Sequence, residues 1–533
     1  MNISSNNAPN TSQFLVPESL PLRTTSPVLH FMSVVFVTFF FTACIAASLH
    51  ASEALSLFRT VSAQEITKTQ SLQASSNLAS KHFSQFSVLE MNTSSFQAMT
   101  GRKTTERKIE TFEMELLLGK KAKTPVHISL QPYNPFAPNA SLVAKTPNGD
   151  EQIQLEEEFA IYRGTVEGDK TSHVFCSISK SGVQMTIHTK GETWTIEPLP
   201  ANETTTLSQQ TNGTPSIYVL YSAAERKEYQ KFHCDAEEFG EDNSERSNEH
   251  DNEHVSESQH STVQNNKNAA QNHALRVCEM GIMIDYATYQ SLGSSQAQSA
   301  QYAAAVIAAV SQIYERDVQV QLTVSHVEVW TRPDPTASAT NTMQLLSQFR
   351  LPWLANNTSI NRDLAHLLTV RLGGGIAYLN ALCSQPFAYG VSAGLRTTFP
   401  IDPGWTTIVV AHEIGHNFGS WHTHSCNWAG GAIDRCAPAE DVPSGQTPCF
   451  TGTVRSRGTI MSYCYSYPGG SSNIDISFHP LCAQRMISRA QAASCLGTSN
   501  GGGSGGGGWS SYGCTTNILF HTDRCRSRCK RRH

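Results

Sequence analysis

The chain is short of charge. Asp, Glu, Lys and Arg make up only 16% of its 533 residues, and the formal net charge is −5. A protein that grips nucleic acid needs basic surface to neutralise phosphates, so no nucleic-acid partner is expected. Internal repeats are absent, which leaves no support for a solenoid or propeller. Long apolar runs are scarce too. The one candidate, "FMSVVFVTFFFTACIAASLHAS" from Phe31, is marginal for a membrane span, which needs about 20 apolar residues. The cysteines of the central unit contain no C-x-x-C pair, so a thiolate zinc cluster is not expected there.

What is present points to the secretory route. Hydrophobic residues reach 39%, enough for sizeable cores in two to four domains. The apolar run ends in small residues and reads as a signal-peptide core, with cleavage around Ala47 to Ala51. The stretch before it is long and holds one basic residue, Arg23. Initiation at Met32 and retention of residues 31–51 as a signal anchor are therefore the alternatives. Either way the remaining chain would be secreted or extracellular. Of 14 cysteines, ten follow residue 380, as expected of disulfides made in an oxidising compartment. Sequons begin at Asn92, Asn139, Asn202, Asn212, Asn356 and Asn357.

Composition divides the rest. Residues 1–51 are the N-terminal tail and signal segment. Residues 52 to about 105 are rich in Ser, Thr and Gln and show little periodicity. Alternating apolar and polar residues across Gly-containing turns, as in "HVFCSISKSGVQMTIHTKGETWTIEPL", predict strands and hairpins through Leu199. Residues 52–234 thus read as one largely β unit. Residues 235–275 are acidic, rich in His and Asn and almost free of large apolar side chains, the composition of a disordered linker. From Arg276 strands and helices alternate. "VCEMGIMIDYATY" reads as a buried strand, "SAQYAAAVIAAVSQIYERD" as a helix and "VQVQLTVSHVEVW" as a strand. Further on, Thr342 to Trp353 reads as a helix, "DLAHLLTVRL" as a strand, "GGGIAYLNALC" as an edge strand and loop, and "WTTIVVAHEIGHNFG" as a helix. The alternation predicts an α/β domain with a mixed sheet over 276–496. Residues 497–508 are a Gly-rich linker. Residues 509–533 form a short basic tail carrying Cys514, Cys525 and Cys529, suited to acidic surfaces such as glycosaminoglycans or anionic lipids, or simply frayed.

The chemistry concentrates in "HEIGHNFGSWH", residues 412–422. Residues four apart share a helix face, so His412 and His416 can present two imidazoles to one ion. Gly419 can take the left-handed backbone that ends a helix and swing His422 up as a third nitrogen. Three protein ligands and an open position are the pattern of a catalytic zinc. Glu413 is then the general base that takes a proton from zinc-activated water and returns it to the leaving amine. Five fixed residues over eleven positions arise by chance in such a chain with odds on the order of 10⁻⁴ or lower. H-E-x-x-H-x-x-G-x-x-H is the metzincin signature, and "GTIMSYC" supplies the methionine turn expected beneath the metal, at Met461.

In these motifs the chain resembles the adamalysin (reprolysin) metzincins, which include snake-venom metalloproteinases, ADAM and ADAMTS proteases. "CEMGIMIDYATY", "GGGIAYLNALC", "FAYGVSAG", "HEIGHNFGSWH" and "GTIMSYC" occur in that family's order, from about Arg276 to Leu496. The resemblance implies a five-stranded mixed sheet flanked by helices, one catalytic zinc in the cleft, and a protein substrate lying extended along an edge strand near "GGGIAYL". Residues 162–199 are similar to the family's propeptide, which implies a zymogen. A cysteine thiolate would then hold the zinc's open position, with Cys234 the candidate and Cys176 the runner-up; a Cys176–Cys234 disulfide is the alternative.

The chain departs from the family directly after the third histidine, where many adamalysins have Asp and this sequence has Thr423, followed by His424. Tyr463 stands at the offset from which a tyrosine reaches the zinc in the related astacins and serralysins; packing beside a disulfide-rich wall is expected here. No disintegrin or thrombospondin module is recognisable. Cys278, Cys383, Cys426, Cys436, Cys449, Cys464, Cys482 and Cys495 allow 105 pairings, left open by the sequence. No acidic loop signature supports Ca²⁺. The function expected is a secreted zymogen zinc metalloendopeptidase. Its alternatives are an inactive binding or adhesion protein on a protease scaffold, and a membrane-anchored sheddase with the same chemistry.

Overall fold

The computed structural model describes residues 56–100, 111–119, 124–200, 216–227, 234 and 275–499. The apolar run at 31–51, residues 235–274 of the linker and the basic tail 509–533 lie outside the described residues. Among the described residues, no helix is long and apolar enough to cross a membrane.

The N-terminal body begins with strand β1 (Phe58–Thr60), helices α1 (Ala63–Lys68) and α2 (Gln70–His82), β2 (Ser87–Met91) and α3 (Thr93–Thr100). These fall where the sequence shows little periodicity, and the reason is burial. Neither α1 nor α2 covers an apolar face: α1 buries no residue and α2 only Ala79. A capping box starts α1, with the Ser62 side chain accepting from Glu65 N and the Glu65 carboxylate accepting from Ser62 N at 2.8 Å.

The strands that follow are β3 (Phe112–Leu116), β4 (Val126–Tyr133), β5 (Phe136–Thr146), β6 (Gly149–Gln152), β7 (Ala160–Val166), β8 (Asp169–Ser179), β9 (Gly182–Thr189), β10 (Glu192–Pro198) and β11 (Ile217–Ser222). Nine strands form one antiparallel sheet in the order β1-β2-β11-β10-β9-β8-β7-β4-β3. The alternation read from the sequence puts Val174, Cys176 and Ile178 of β8 on one buried face with Val183, Met185 and Ile187 of β9.

The C-terminal part opens with β12 (Arg276–Ile284). The strand stops where Asp285 caps α4 (Tyr286–Ser291), its carboxylate accepting from Thr288 N. "DYATY", read with the strand, is thus the start of a helix. Next come α5 (Gln296–Asp317), β13 (Val320–Trp330), α6 (Thr342–Asn356), β14 (Leu364–Leu368), β15 (Gly374–Ala377), β16 (Tyr389–Ala393), α7 (Pro403–Asn417), α8 (Pro480–Ala492) and β17 (Gly497–Thr498). The expected five strands stand in the order β15-β16-β14-β12-β13. All pairs are parallel except β15–β16, and β15 is the edge.

Two features extend this sheet. Strand β17 pairs with the first residues of β12, so residues 497 and 498 of the expected linker belong to the fold. Hairpin β5–β6 leaves the N-terminal sheet, and β5 adds itself parallel to β13, Leu142 opposite Val327 and Ala144 opposite Val329. The sequence boundary between the two units is therefore not a boundary between sheets.

Candidate metal centre

Helix α7 carries the site. Asp402 caps it, the side chain accepting from Trp405 N at 3.2 Å, and Pro403 takes the first turn, where its missing N–H costs nothing. Every residue from Gly404 to Asn417 except Thr407 is buried, so the helix is apolar nearly all round. Thr406, the two histidines, Glu413 and Asn417 are the buried polar exceptions and need partners. Gly419 has φ +90°. Its N–H donates to His416 O and that of Ser420 to Gly415 O, at 2.8 and 2.9 Å. The chain reverses there and returns His422 to the face of the helix.

The three imidazoles converge. Their Nε2 atoms lie 3.0–3.1 Å apart in all three pairs. Each Nδ1 is held by an acceptor: His412 by Ile460 O at 2.8 Å, His416 by Ser420 O at 2.9 Å, His422 by Glu440 Oε2 at 2.8 Å. A hydrogen on Nδ1 leaves the Nε2 lone pair bare. Burial pushes His412 and His416 down to about 3 and His422 to about 4, so all three are neutral at physiological pH. Three lone pairs facing one point repel unless a cation sits among them. The donor set therefore fits one tetrahedral zinc with a place to spare.

Cys234 lies beside the three nitrogens. Its Sγ lies 3.7 Å from Glu413 Oε2 and 3.8 Å from His416 Nε2, and together with His412, His416 and His422 it forms a buried group able to hold an ion. Its backbone bridges Gly375 on edge strand β15 in the parallel sense, and its carbonyl accepts from Tyr463 OH at 3.0 Å. Cys176 is elsewhere, buried between β7 and β9, with its thiol pushed up to about 12 by burial. No disulfide joins the two, so the alternative of a Cys176–Cys234 bridge is not what the structure shows.

Met461 lies fully buried beneath the centre; a Cβ on Gly415 would meet its sulfur at 2.7 Å. Thr423 ties to the same turn, its N–H donating to Met461 O at 3.0 Å. Tyr463 packs its ring on His422, centroids 4.7 Å apart, and spends its hydroxyl on Cys234. Among the described residues the disulfides are Cys383–Cys495, Cys426–Cys449 and Cys436–Cys464, the last two after His422. Cys278 and Cys482 are buried free thiols, so six of the eight cysteines pair.

Sequence reasoning missed Glu440, Gly375 and Asn417. Asn417 Nδ2 donates to Tyr378 O and Tyr389 O at 2.9 and 3.0 Å, fastening α7 to the edge strands. A Cβ on Gly375 would run into the Glu413 side chain. The glycine run pointed to Gly375; nothing in the sequence marked Glu440.

Residues 274–475 match Metallo-peptidase family M12. Curated relatives are disintegrin and metalloproteinase domain-containing protein 1a of Mus musculus, 28% identical over 27% of this chain and 18% of its own length, and protein 19 of the same species, 26% identical over 58% and 32%. The chain thus spans a third or less of the length of these relatives.

Proposed function

Residues 274–475 are a metallopeptidase domain of family M12, and from that premise we propose that the chain is a zinc endopeptidase made as a latent precursor. One observation carries the reading: three buried imidazoles aim bare Nε2 atoms at a single point, and a cysteine from the N-terminal body covers its fourth side. His412, His416 and His422 hold the zinc, which supplies Lewis acidity toward a scissile carbonyl. With Cys234 withdrawn, Glu413 Oε2 faces the vacated position. It accepts a proton from the attacking water and delivers it to the leaving amine nitrogen. The peptide C–N bond breaks, and the water oxygen ends in the new carboxylate. Edge strand β15 offers its outer hydrogen-bonding groups to an extended protein substrate.

Residues 52–234 act as the propeptide, with Cys234 as its latch, and cleavage within 235–275 begins activation. Three disulfides and the apolar run before residue 52 support secretion.

The test uses the full chain, Cys234→Ala, and Cys234→Ala with Glu413→Ala. Bound zinc and hydrolysis of a quenched peptide mixture are measured, with and without chelator. Cys234→Ala is expected to cleave internal bonds and lose activity to chelator. The double variant keeps zinc and loses about 10²–10⁴-fold in rate. Folded protein that binds no zinc removes the metal site from the proposal. Zinc bound without cleavage in Cys234→Ala moves the reading to a binding or adhesion scaffold.

A further inference from the structure

The three imidazoles are not held alike. His412 and His416 rest on main-chain carbonyls of the methionine turn and of the reversal after the helix. His422, which lies beyond the helix, rests on a side chain, Glu440 Oε2 at 2.8 Å. We infer that Glu440 is the positioning residue of the metal centre, fixing the ring plane and Nδ1–H tautomer of His422 and strengthening it as a donor. The inference rests on the zinc reading of the three histidines.

Glu440 is itself held. Its second carboxylate oxygen accepts from His424 Nε2. The His424 ring lies parallel to that of His422, centroids 5.1 Å apart and planes 7° apart, so one carboxylate clamps two stacked rings. The Glu440 carbonyl accepts from Cys426 N at 2.9 Å, and Ser425 bridges Glu440 in the parallel sense. Next to it, Ser425 Oγ donates to the Asp441 carboxylate. The loop is fastened on both flanks, by Cys426–Cys449 and by Cys436–Cys464. From the other side, Trp428 Nε1 donates to His422 O at 2.7 Å. The carboxylate is thus brought to His422 by backbone pairing and disulfides rather than by chance approach of a surface side chain. It also gives His424, two residues after the third histidine, a defined task.

A hydrogen bond from a ligand imidazole to a carboxylate raises ligand basicity, and losing such a partner typically costs 10–100-fold in metal affinity. The full chain, Glu440→Gln, Glu440→Ala and the ligand variant His412→Ala are compared. Zinc affinity is read by competition with a chromophoric chelator, site geometry by the visible spectrum of the cobalt(II)-loaded protein, and stability by thermal unfolding of the metal-free form. Glu440→Ala is expected to bind zinc about 10–100-fold more weakly, with a changed cobalt spectrum and metal-free unfolding close to wild type. Glu440→Gln, which keeps an acceptor of the same shape but no charge, falls between. Wild-type affinity in both variants overturns the inference. So does a loss of metal-free stability in Glu440→Gln that accounts for its loss of zinc, since that marks a structural residue only. If His412→Ala binds zinc as tightly as wild type, the zinc reading itself fails, and this inference with it.

Discussion

Gly375 offers the sharpest perturbation of the proposed chemistry, because it supplies no side chain to the metal centre and is none of the three histidines. The residue sits in edge strand β15, opposite Ser392 of β16, and has no positive φ. Alanine therefore fits its backbone. The obstacle is Glu413: a Cβ would stand 2.6 Å from its Cγ, with the carboxylate closer still. Ordinary contact begins at 3.4 Å, so the side chain must move by about 1 Å. Glu413 is fully buried on a helix with no free face, and the displacement carries the carboxylate off the line between water and leaving amine. A misplacement of about 1 Å can cost 10²-fold in rate, or about 2.7 kcal/mol of barrier. In the Cys234→Ala background, Gly375→Ala should stay folded, at a cost of about 1–3 kcal/mol for the overpacked contact, and keep its zinc while kcat on a quenched peptide falls about 10²-fold. Full zinc with kcat within threefold of the background would refute the assignment of Glu413 as a fixed general base.

Glu197, fully buried, is pushed by burial from an ordinary 4.5 up to about 7. Between those values the folded carboxyl keeps a proton that the unfolded chain has lost, so stability falls as pH rises and the loss is complete above about pH 7, on the order of 3 kcal/mol in all. Glu197→Gln should flatten the fall in thermal stability between pH 4.5 and 7, and an unchanged slope refutes the shift. Of the overlapping sequons, Asn356 is exposed, whereas Asn357 is buried and its Nδ2 donates to Glu328 Oε2 at 3.2 Å. Mass spectrometry of secreted protein should find glycan on Asn356; occupancy of Asn357 contradicts the structure. A single nick in 235–275 should leave the N-terminal body attached, because Arg163–Glu315 (2.8 Å), Arg226–Asp402 (3.3 Å), Ile401 N donating to Glu197 (2.7 Å) and the β5–β13 pairing survive it. Separation of the pieces on gel filtration in native buffer would show these contacts to be weak.

The candidate site was legible because its geometry is local. His412, Glu413 and His416 share one helix, and His422 follows a single glycine reversal, so spacing alone encodes their convergence. Met461 was legible through motif order. Glu440 was not, because it reaches His422 across a disulfide-bounded loop without regular secondary structure, where no periodicity relates residues 422 and 440. Helices α1 and α2 were missed for a different reason: they cover little apolar surface, and amphipathic periodicity is the signal that marks a helix in sequence.

The crossing of β5 into the second sheet is not encoded in the alternation along the chain. Strand β5 alternates no differently from its neighbours in the N-terminal body, burying Leu142 and Ala144 much as β8 buries Val174 and Cys176. Period-two burial states that a strand has a covered face, not which sheet supplies the cover. What directs β5 to β13 is a partner: Lys145 Nζ approaches Glu328 Oε2 at 3.6 Å, and Glu328 is buried with the Trp330, Trp353 and Asn357 side chains donating to it. A buried carboxylate that gathers donors from both parts of the chain fixes the register of the added strand. The N-terminal body thus engages the C-terminal sheet at both edges, through β5 at β13 and through Cys234 at β15, so the thiol reaches the metal centre as part of a sheet-wide contact.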